Sequence, residues 1–209
     1  MPPQPSLKIA EIFDGIQGEG LRAGLPAVFI RLAGCNLSCP FCDTKTAWRG
    51  GRTLPVSAVL EKAERLAKSR PDKWVCLTGG EPFAQDIGPL VRRLRGDGFG
   101  VQVETNGTIP GLVDVDWVTV SPKPPLYEVR EQFRKHAREV KLVVSRELTL
   151  AVIARVRGEF PPDVPVFLQP ESNLPESRTR AVRLLRRTIA SNLTGIRLGV
   201  QLHRVYGLR

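Results

Sequence analysis

The sequence predicts an α/β protein whose βα units close only part of a barrel, and three observations carry that expectation. Short β-branched runs alternate with amphipathic stretches, and several of the runs end in polar residues. The 209 residues also fall short of the roughly 250 that a complete eight-stranded TIM-type barrel takes, so an incomplete one is expected.

The expected strands, in order, are Ala27–Leu32, Trp74–Thr78, Gly100–Glu104, Trp117–Val120, Val140–Val144, Val164–Leu168 and Ile196–Val200. Between them, Val56–Lys68, Ile87–Leu94, Glu147–Val156 and Ser177–Ile189 carry apolar residues at helical spacing. Pro55 and Ser57 suit the start of the first helix. Thr78 precedes Gly79-Gly80-Glu81-Pro82, Glu104 precedes Thr105-Asn106-Gly107, Val120 precedes Ser121-Pro122-Lys123, and Leu168 precedes Gln169-Pro170. In α/β sheets and barrels ligands bind at the carboxyl ends of the strands, so these residues point to one shared site.

A composition of 42% hydrophobic and 25% charged residues is ordinary for a soluble globular chain, and a single domain over 1–209 is expected. Met1–Ser6 is proline-rich without the apolar core of a secretory signal, and no apolar run is long enough to span a bilayer. The expectation is a cytoplasmic protein without a membrane partner.

The net charge of +10 invites a nucleic-acid reading. The bases are dispersed, however: Lys62, Arg65 and Lys68, then Arg92, Arg93 and Arg95, then Arg183, Arg186 and Arg187 fall on expected helix faces. Solvated surface helices account for them and no nucleic-acid partner is expected, though an anionic substrate or cofactor would also suit the charge.

Three of the four cysteines lie within Cys35–Cys42, in the run Gly34-Cys35-Asn36-Leu37-Ser38-Cys39-Pro40-Phe41-Cys42-Asp43-Thr44 directly after an expected strand. Such close neighbours suit metal ligation or redox chemistry better than disulfides. A closed zinc site needs a fourth protein ligand, and neither His136 nor His203 is near in sequence. Cys76 could supply it, but its place in an apolar run suits a buried small residue. On a four-iron cluster, three thiolates leave one iron open to another ligand.

This C-x3-C-x2-C loop, followed at the next strand end by Gly79-Gly80-Glu81-Pro82, resembles the radical S-adenosylmethionine (SAM) superfamily. The resemblance implies a [4Fe–4S] cluster on Cys35, Cys39 and Cys42, with SAM on the open iron and an electron from the cluster cleaving SAM to a 5′-deoxyadenosyl radical. It places Phe41, Asp43, Gly80, Glu81, Ser121, Lys123 and Gln169 around SAM. For each of these, a turn or surface residue is the plainer alternative. A purified protein holding zinc rather than iron and sulfide would favour a zinc-stabilised nucleic-acid module instead.

Two further segments narrow the resemblance. Ile12-Phe13-Asp14-Gly15-Ile16-Gln17-Gly18-Glu19-Gly20 precedes the first expected strand, and Val200-Gln201-Leu202-His203-Arg204 stands near the far end. With Phe29-Ile30-Arg31-Leu32-Ala33-Gly34 and Cys42-Asp43-Thr44 they resemble the 7-carboxy-7-deazaguanine synthase family, in order from about residue 9 onward. The resemblance implies ring contraction of 6-carboxy-5,6,7,8-tetrahydropterin to 7-carboxy-7-deazaguanine with loss of ammonia, on the route to 7-deazapurines such as queuosine. SAM is reused, Mg2+ assists, an electron donor such as flavodoxin or ferredoxin is needed, and the family suggests a homodimer.

The residue types suit that substrate. Arg31 can hold a carboxylate through two parallel hydrogen bonds, unless a surface acid satisfies it. Ile16, Gln17, Gly18 and Glu19 can match the donors and acceptors of an aminopyrimidinone edge, or form only a glycine-flanked turn. Thr44 offers a neutral oxygen suited to Mg2+, which keeps most of its waters, or it could cap a turn. The resemblance adds Thr78, His203 and the terminal carboxylate of Arg209 as substrate contacts. A packed histidine and a frayed terminus are the alternatives. A glycyl-radical-enzyme activating enzyme shares the cysteine spacing but leaves Gln17–Gly20 and Gln201–Arg204 unaccounted for.

Overall fold

The structure is a computed structural model that describes residues 4–111 and 114–208. Nine strands and six α-helices are present among them: β1 (Ser6–Ile16), β2 (Pro26–Leu32), β3 (Arg52–Pro55), α1 (Val56–Ala67), β4 (Trp74–Gly79), α2 (Gly88–Gly96), β5 (Gly100–Thr105), β6 (Trp117–Val120), α3 (Glu131–His136), β7 (Ala137–Val144), α4 (Leu150–Gly158), β8 (Val166–Pro170), α5 (Pro175–Ala190), β9 (Ile196–Leu198) and α6 (Leu202–Tyr206). The chain forms two compact units, one of Met1–Gly15, Pro26–Thr105 and Ile109–Val118, the other of Ile16–Leu25, Asn106–Thr108 and Thr119–Arg209.

In the first unit the strand order is β3-β1-β2-β4-β5. The neighbours β2 and β4 are parallel, as are β4 and β5. Parallel register sets Val28 beside Val75 and Val75 beside Val101, and likewise Ile30 beside Leu77 and Leu77 beside Val103. All six are fully buried, together with Val59, Ala63 and Ala67 of α1 and Leu90 and Leu94 of α2. Each large side chain buried this way contributes about 1.5–3 kcal/mol. Pro55 stands at the N-cap of α1, where its missing N–H costs nothing.

The second unit, which takes Thr119 and Val120 of β6, carries β7, β8 and β9 side by side and parallel. Val140, Leu142, Val166 and Leu168 are buried with Ile153 and Val156 of α4 and Ala181 and Leu184 of α5. Thr149 caps α4 by accepting from the Val152 N–H at 3.3 Å. The short α6 stops at Gly207, whose φ of 65° lets the Leu208 N–H reach the His203 carbonyl at 2.8 Å.

The expected α/β alternation is present, with corrections. The segment from Ile12 to Ile16, expected before the first strand, is the second half of β1. Its early alternation of exposed Ser6 and Lys8 with buried Leu7 and Ile9 is the pattern of a half-buried strand. The strand expected over 164–168 starts at Val166, because the Val164 N–H closes a turn onto the Pro161 carbonyl, and it runs on through Gln169 to Pro170. The strand expected over 196–200 stops at Leu198, and the helix expected from 147 begins only at Leu150, after its Thr149 cap.

Candidate active site

The cysteine loop leaves β2 in the first unit, and backbone bonds fix its start. The Gly80 N–H donates to the Leu32 carbonyl at 2.8 Å and the Glu81 N–H to the Gly34 carbonyl at 2.9 Å, tying the two-glycine element at the end of β4 to the loop. A Cβ on Gly80 would lie 2.6 Å from the Gly34 carbonyl carbon, so only glycine permits this approach. Farther along, the Gly34 N–H reaches the Ala47 carbonyl at 2.8 Å and closes the loop.

Cys35, Cys39 and Cys42 are half-buried and form no disulfide. Burial pushes the Cys35 thiol up; a backbone bond at Leu37 opposes this, and negative charge on Glu81, Cys39 and Cys42 adds to it. All three stand on the one loop that the Gly34–Ala47 bond closes. Cys42 Sγ also accepts from the Trp48 Nε1–H at 3.2 Å and the Thr44 N–H at 3.4 Å. A three-thiolate donor set supported by N–H donors fits an iron–sulfur cluster. Cys76 is fully buried within β4, apart from the loop.

Around the loop, Thr44 Oγ1 donates to Asp43 Oδ1 at 3.0 Å, and Phe41 is half-buried. Glu81 is buried, and its Oε1 accepts from Thr105 Oγ1 at 2.7 Å and the Phe83 N–H at 3.2 Å. On β2, Arg31 is in register with Thr78, whose hydroxyl donates to Glu104 Oε2 at 3.4 Å. Arg31 Nη1 pairs with Glu11 Oε2 at 3.1 Å, and the guanidinium lies over the Phe13 ring, which itself stacks on Phe29 at 5.2 Å between centroids. A neighbouring acid thus does engage Arg31.

In the second unit the two distant segments singled out in the sequence meet. The Leu202 N–H donates to the Gly18 carbonyl at 2.9 Å, and a Cβ on Gly18 would collide with the His203 imidazole. Gln17 is buried; its Oε1 accepts from the Glu19 N–H at 3.2 Å, and its backbone pairs with Gly24 and Leu25. Ile16 is exposed at the end of β1. The Glu19 carboxylate receives Lys141 Nζ at 2.6 Å and Gln201 Nε2 at 2.7 Å. Burial acts to raise the Glu19 pKa, but the charge and hydrogen bond of Lys141, helped by Gln201 and His203, outweigh it and hold the carboxyl below its ordinary value.

Lys141 also carries the backbone oxygen that accepts from Ser121 Oγ at 3.0 Å, and Lys123 Nζ donates to that Ser121 oxygen at 2.5 Å. Gln169, 2% exposed, has no hydrogen-bond partner on either amide atom. Gly199 stands beside it, where a Cβ would lie 3.0 Å from the Gln169 Cδ. A buried amide with both atoms unpaired beside a side-chain-free position suits a polar small molecule. Arg209 lies outside the described residues.

Sequence reasoning missed Lys141, Glu139, Glu11 and Trp48 as parts of these clusters. For Glu139 and Lys141 a signal existed, since two charges at alternate positions flank Val140 in an apolar strand and must share one face.

Residues 29–168 match the Radical SAM superfamily. The 7-carboxy-7-deazaguanine synthase of Aquifex aeolicus (strain VF5) is 35% identical over 212 residues, covering 97% of this chain and 94% of that protein. The enzyme of the same name from Escherichia coli (strain K12) is 34% identical, covering 94% and 96%. The crystal structure of QueE from Escherichia coli superposes with a TM-score of 0.77 at 30% identity, covering 94% of both chains, and carries the expected fold class, a partial βα barrel. With its thiolate loop, glycine element and paired terminal segments, the chain belongs to the 7-carboxy-7-deazaguanine synthase family of the radical SAM superfamily.

Proposed function

We propose that this chain, acting as one radical SAM domain, contracts the ring of 6-carboxy-5,6,7,8-tetrahydropterin to 7-carboxy-7-deazaguanine and releases ammonia. The observation that carries the reading is the meeting of Gln17–Glu19 with Gln201–His203 around a half-buried, ionised carboxylate. A glycyl-radical activating enzyme has no use for that arrangement.

Cys35, Cys39 and Cys42 would hold the [4Fe–4S] cluster, which supplies the electron for reductive cleavage of SAM. Phe41, Asp43, Gly80, Glu81, Ser121, Lys123 and Gln169 would receive SAM, the Gln169 amide being paired by it. The Glu19 carboxylate accepts from the amino and ring N–H groups of the aminopyrimidinone edge, and Lys141 keeps it ionised for that purpose. Ile16, Gln17, Gly18, Thr78 and His203 complete the substrate contacts. Arg31, over the Phe13 ring at 4.9 Å from its centroid, takes the pterin carboxylate. Thr44 would offer its hydroxyl oxygen to Mg2+, a hard cation that would add positive charge beside the substrate.

A low-potential protein such as flavodoxin or ferredoxin serves as electron donor. The enzyme works in the cytoplasm, where the cluster cysteines stay reduced, and among the described residues no helix is long and apolar enough to cross a membrane. It works as a homodimer, a reading that exposed Leu198, Val200, Val205 and Tyr206 near the C-terminus support.

The test is an anaerobic assay of cluster-reconstituted protein with SAM, Mg2+, reductant and the pterin, read by mass spectrometry. Product without net SAM consumption is expected. Accumulation of 5′-deoxyadenosine with the pterin intact would reject the substrate.

A further inference from the structure

Glu139 stands two residues before Lys141 on β7, in a strand whose alternate residues Val140, Leu142 and Val144 are buried in the apolar core. The alternation turns Glu139 and Lys141 to the same face. Lys141 binds the side chain of Glu19, as described above. Glu139 instead binds the backbone two residues on, its Oε2 accepting from the Leu21 N–H at 2.5 Å. Its Oε1 accepts from Thr119 Oγ1 of β6 at 2.8 Å, and Glu139 and Thr119 are 1% and 0% exposed.

Gly20 fits this contact from the loop side. Its φ is 69°, and a Cβ there would lie 2.5 Å from the Glu139 carboxyl carbon. The absence of a side chain lets the loop backbone settle directly onto the carboxylate. The segment from Glu19 to Leu21 is thus gripped by β7 at two points, one on a side chain and one on the main chain.

We propose that Glu139 is a positioning residue for pterin recognition: by holding the Leu21 amide it sets where Gln17–Glu19 present their acceptors. The proposal rests on the pterin reading given above. Lys141 sets the charge of Glu19, and Glu139 sets its place. A lone hydrogen bond to a mobile loop would be replaceable by water, but Glu139 is buried and its other oxygen is bonded to a buried hydroxyl on the next strand, so the loop inherits the rigidity of the sheet.

The test compares Glu139→Ala with Glu139→Gln in the cluster-reconstituted protein. Glutamine can still accept from the Leu21 N–H through its oxygen while its amide donates to Thr119 Oγ1. In Glu139→Ala, KM for the pterin rises about tenfold or more with a smaller fall in kcat, as loss of a buried charged acceptor implies. Hydrogen exchange by mass spectrometry shows residues 17–25 of that variant exchanging about tenfold faster in the free protein. Glu139→Gln restores both values to within about threefold. Should Glu139→Ala fail to fold, Gly20→Ala perturbs the same contact from the loop, and the same KM rise and faster exchange are expected.

Wild-type KM and unchanged exchange in Glu139→Ala or Gly20→Ala would overturn the proposal. So would a Glu139→Gln as impaired as Glu139→Ala while its exchange stayed protected. If the wild-type enzyme left the pterin unbound and unconverted, the substrate reading would fall and take pterin positioning with it, and the exchange measurement would decide the loop anchor on its own.

Discussion

The Glu19–Lys141 pair shows how one contact sets chemistry and stability together. Its side chains are 15% and 6% exposed, so removing one partner leaves the other charge buried and poorly solvated. Lys141→Met is expected to cost about 3–5 kcal/mol in urea unfolding. The pH dependence follows from the direction of the shift: a carboxyl held below its ordinary 4.5 contributes stability that is complete above that value and is lost as pH falls through the lower folded pKa. In Lys141→Met only Gln201 and His203 are left to oppose burial, so the carboxyl rises, and the acid limb of kcat/KM moves toward neutrality. An acid limb that stayed in place would remove Glu19 from the binding step. Arg31 is the second residue to test. Its pairing with Glu11 at 3.1 Å on a partly exposed strand leaves it oriented by an acid and an aromatic ring. Arg31→Ala is expected to raise KM for the pterin about 10–100-fold, the range for a lost charged hydrogen bond, with iron per chain unchanged. An unaltered KM would return Arg31 to a purely structural ion pair.

Among the elements, the two-glycine turn after β4 is where sequence and geometry constrain each other most tightly. Gly80 lies against the Gly34 carbonyl, and the flanking backbone bonds run to Leu32 at the end of β2 and to Gly34 at the start of the cysteine loop. Gly80→Ala is expected to cost about 1–3 kcal/mol by overpacking and to lower the iron and sulfide retained after reconstitution. Full cluster loading in that variant would show that the loop adjusts independently of the turn. Elements of this kind were legible in the sequence because their signals are local. The β-branched runs of β2, β4 and β5, the cysteine spacing and the Gly79-Gly80 pair all stand within a few neighbouring residues. β1 was not legible as a strand, since Glu11 in the phase of Leu7 and Ile9, and Ile12 in the phase of Ser6 and Lys8, interrupt its alternation after Ile9. Nor was the role of β7 in the site. Lys141 and Glu139 find their partners 122 and 118 residues away, a pairing that only the fold brings about. The meeting of Gln17–Glu19 with Gln201–His203 lies between: both segments were visible as motifs, and their contact was not.

At the scale of the whole molecule, cluster loading and folding are linked. The ligand loop is anchored at Gly34 and Ala47, and inside it the Cys42 N–H bonds the Cys39 carbonyl at 3.1 Å while Cys42 Sγ collects the Trp48 and Thr44 N–H groups. A cluster that binds three thiolates of the folded chain and not the unfolded chain stabilises the former by mass action. That stabilisation is about 2.7 kcal/mol when the bound species stands a hundredfold above its dissociation constant. For a chain of this length it corresponds to a rise in Tm of about 5–10 °C on reconstitution. Anaerobic calorimetry of loaded and chelator-stripped protein measures it. Cys39→Ser serves as the control. Cys39 is half-buried on the loop, outside the apolar core, so its replacement should leave the metal-free Tm near that of the wild type and abolish the rise. Equal melting of loaded and stripped wild-type protein would mean that the loop holds its conformation without the cluster, and that Gly34, Gly80 and Trp48 alone suffice to organise it.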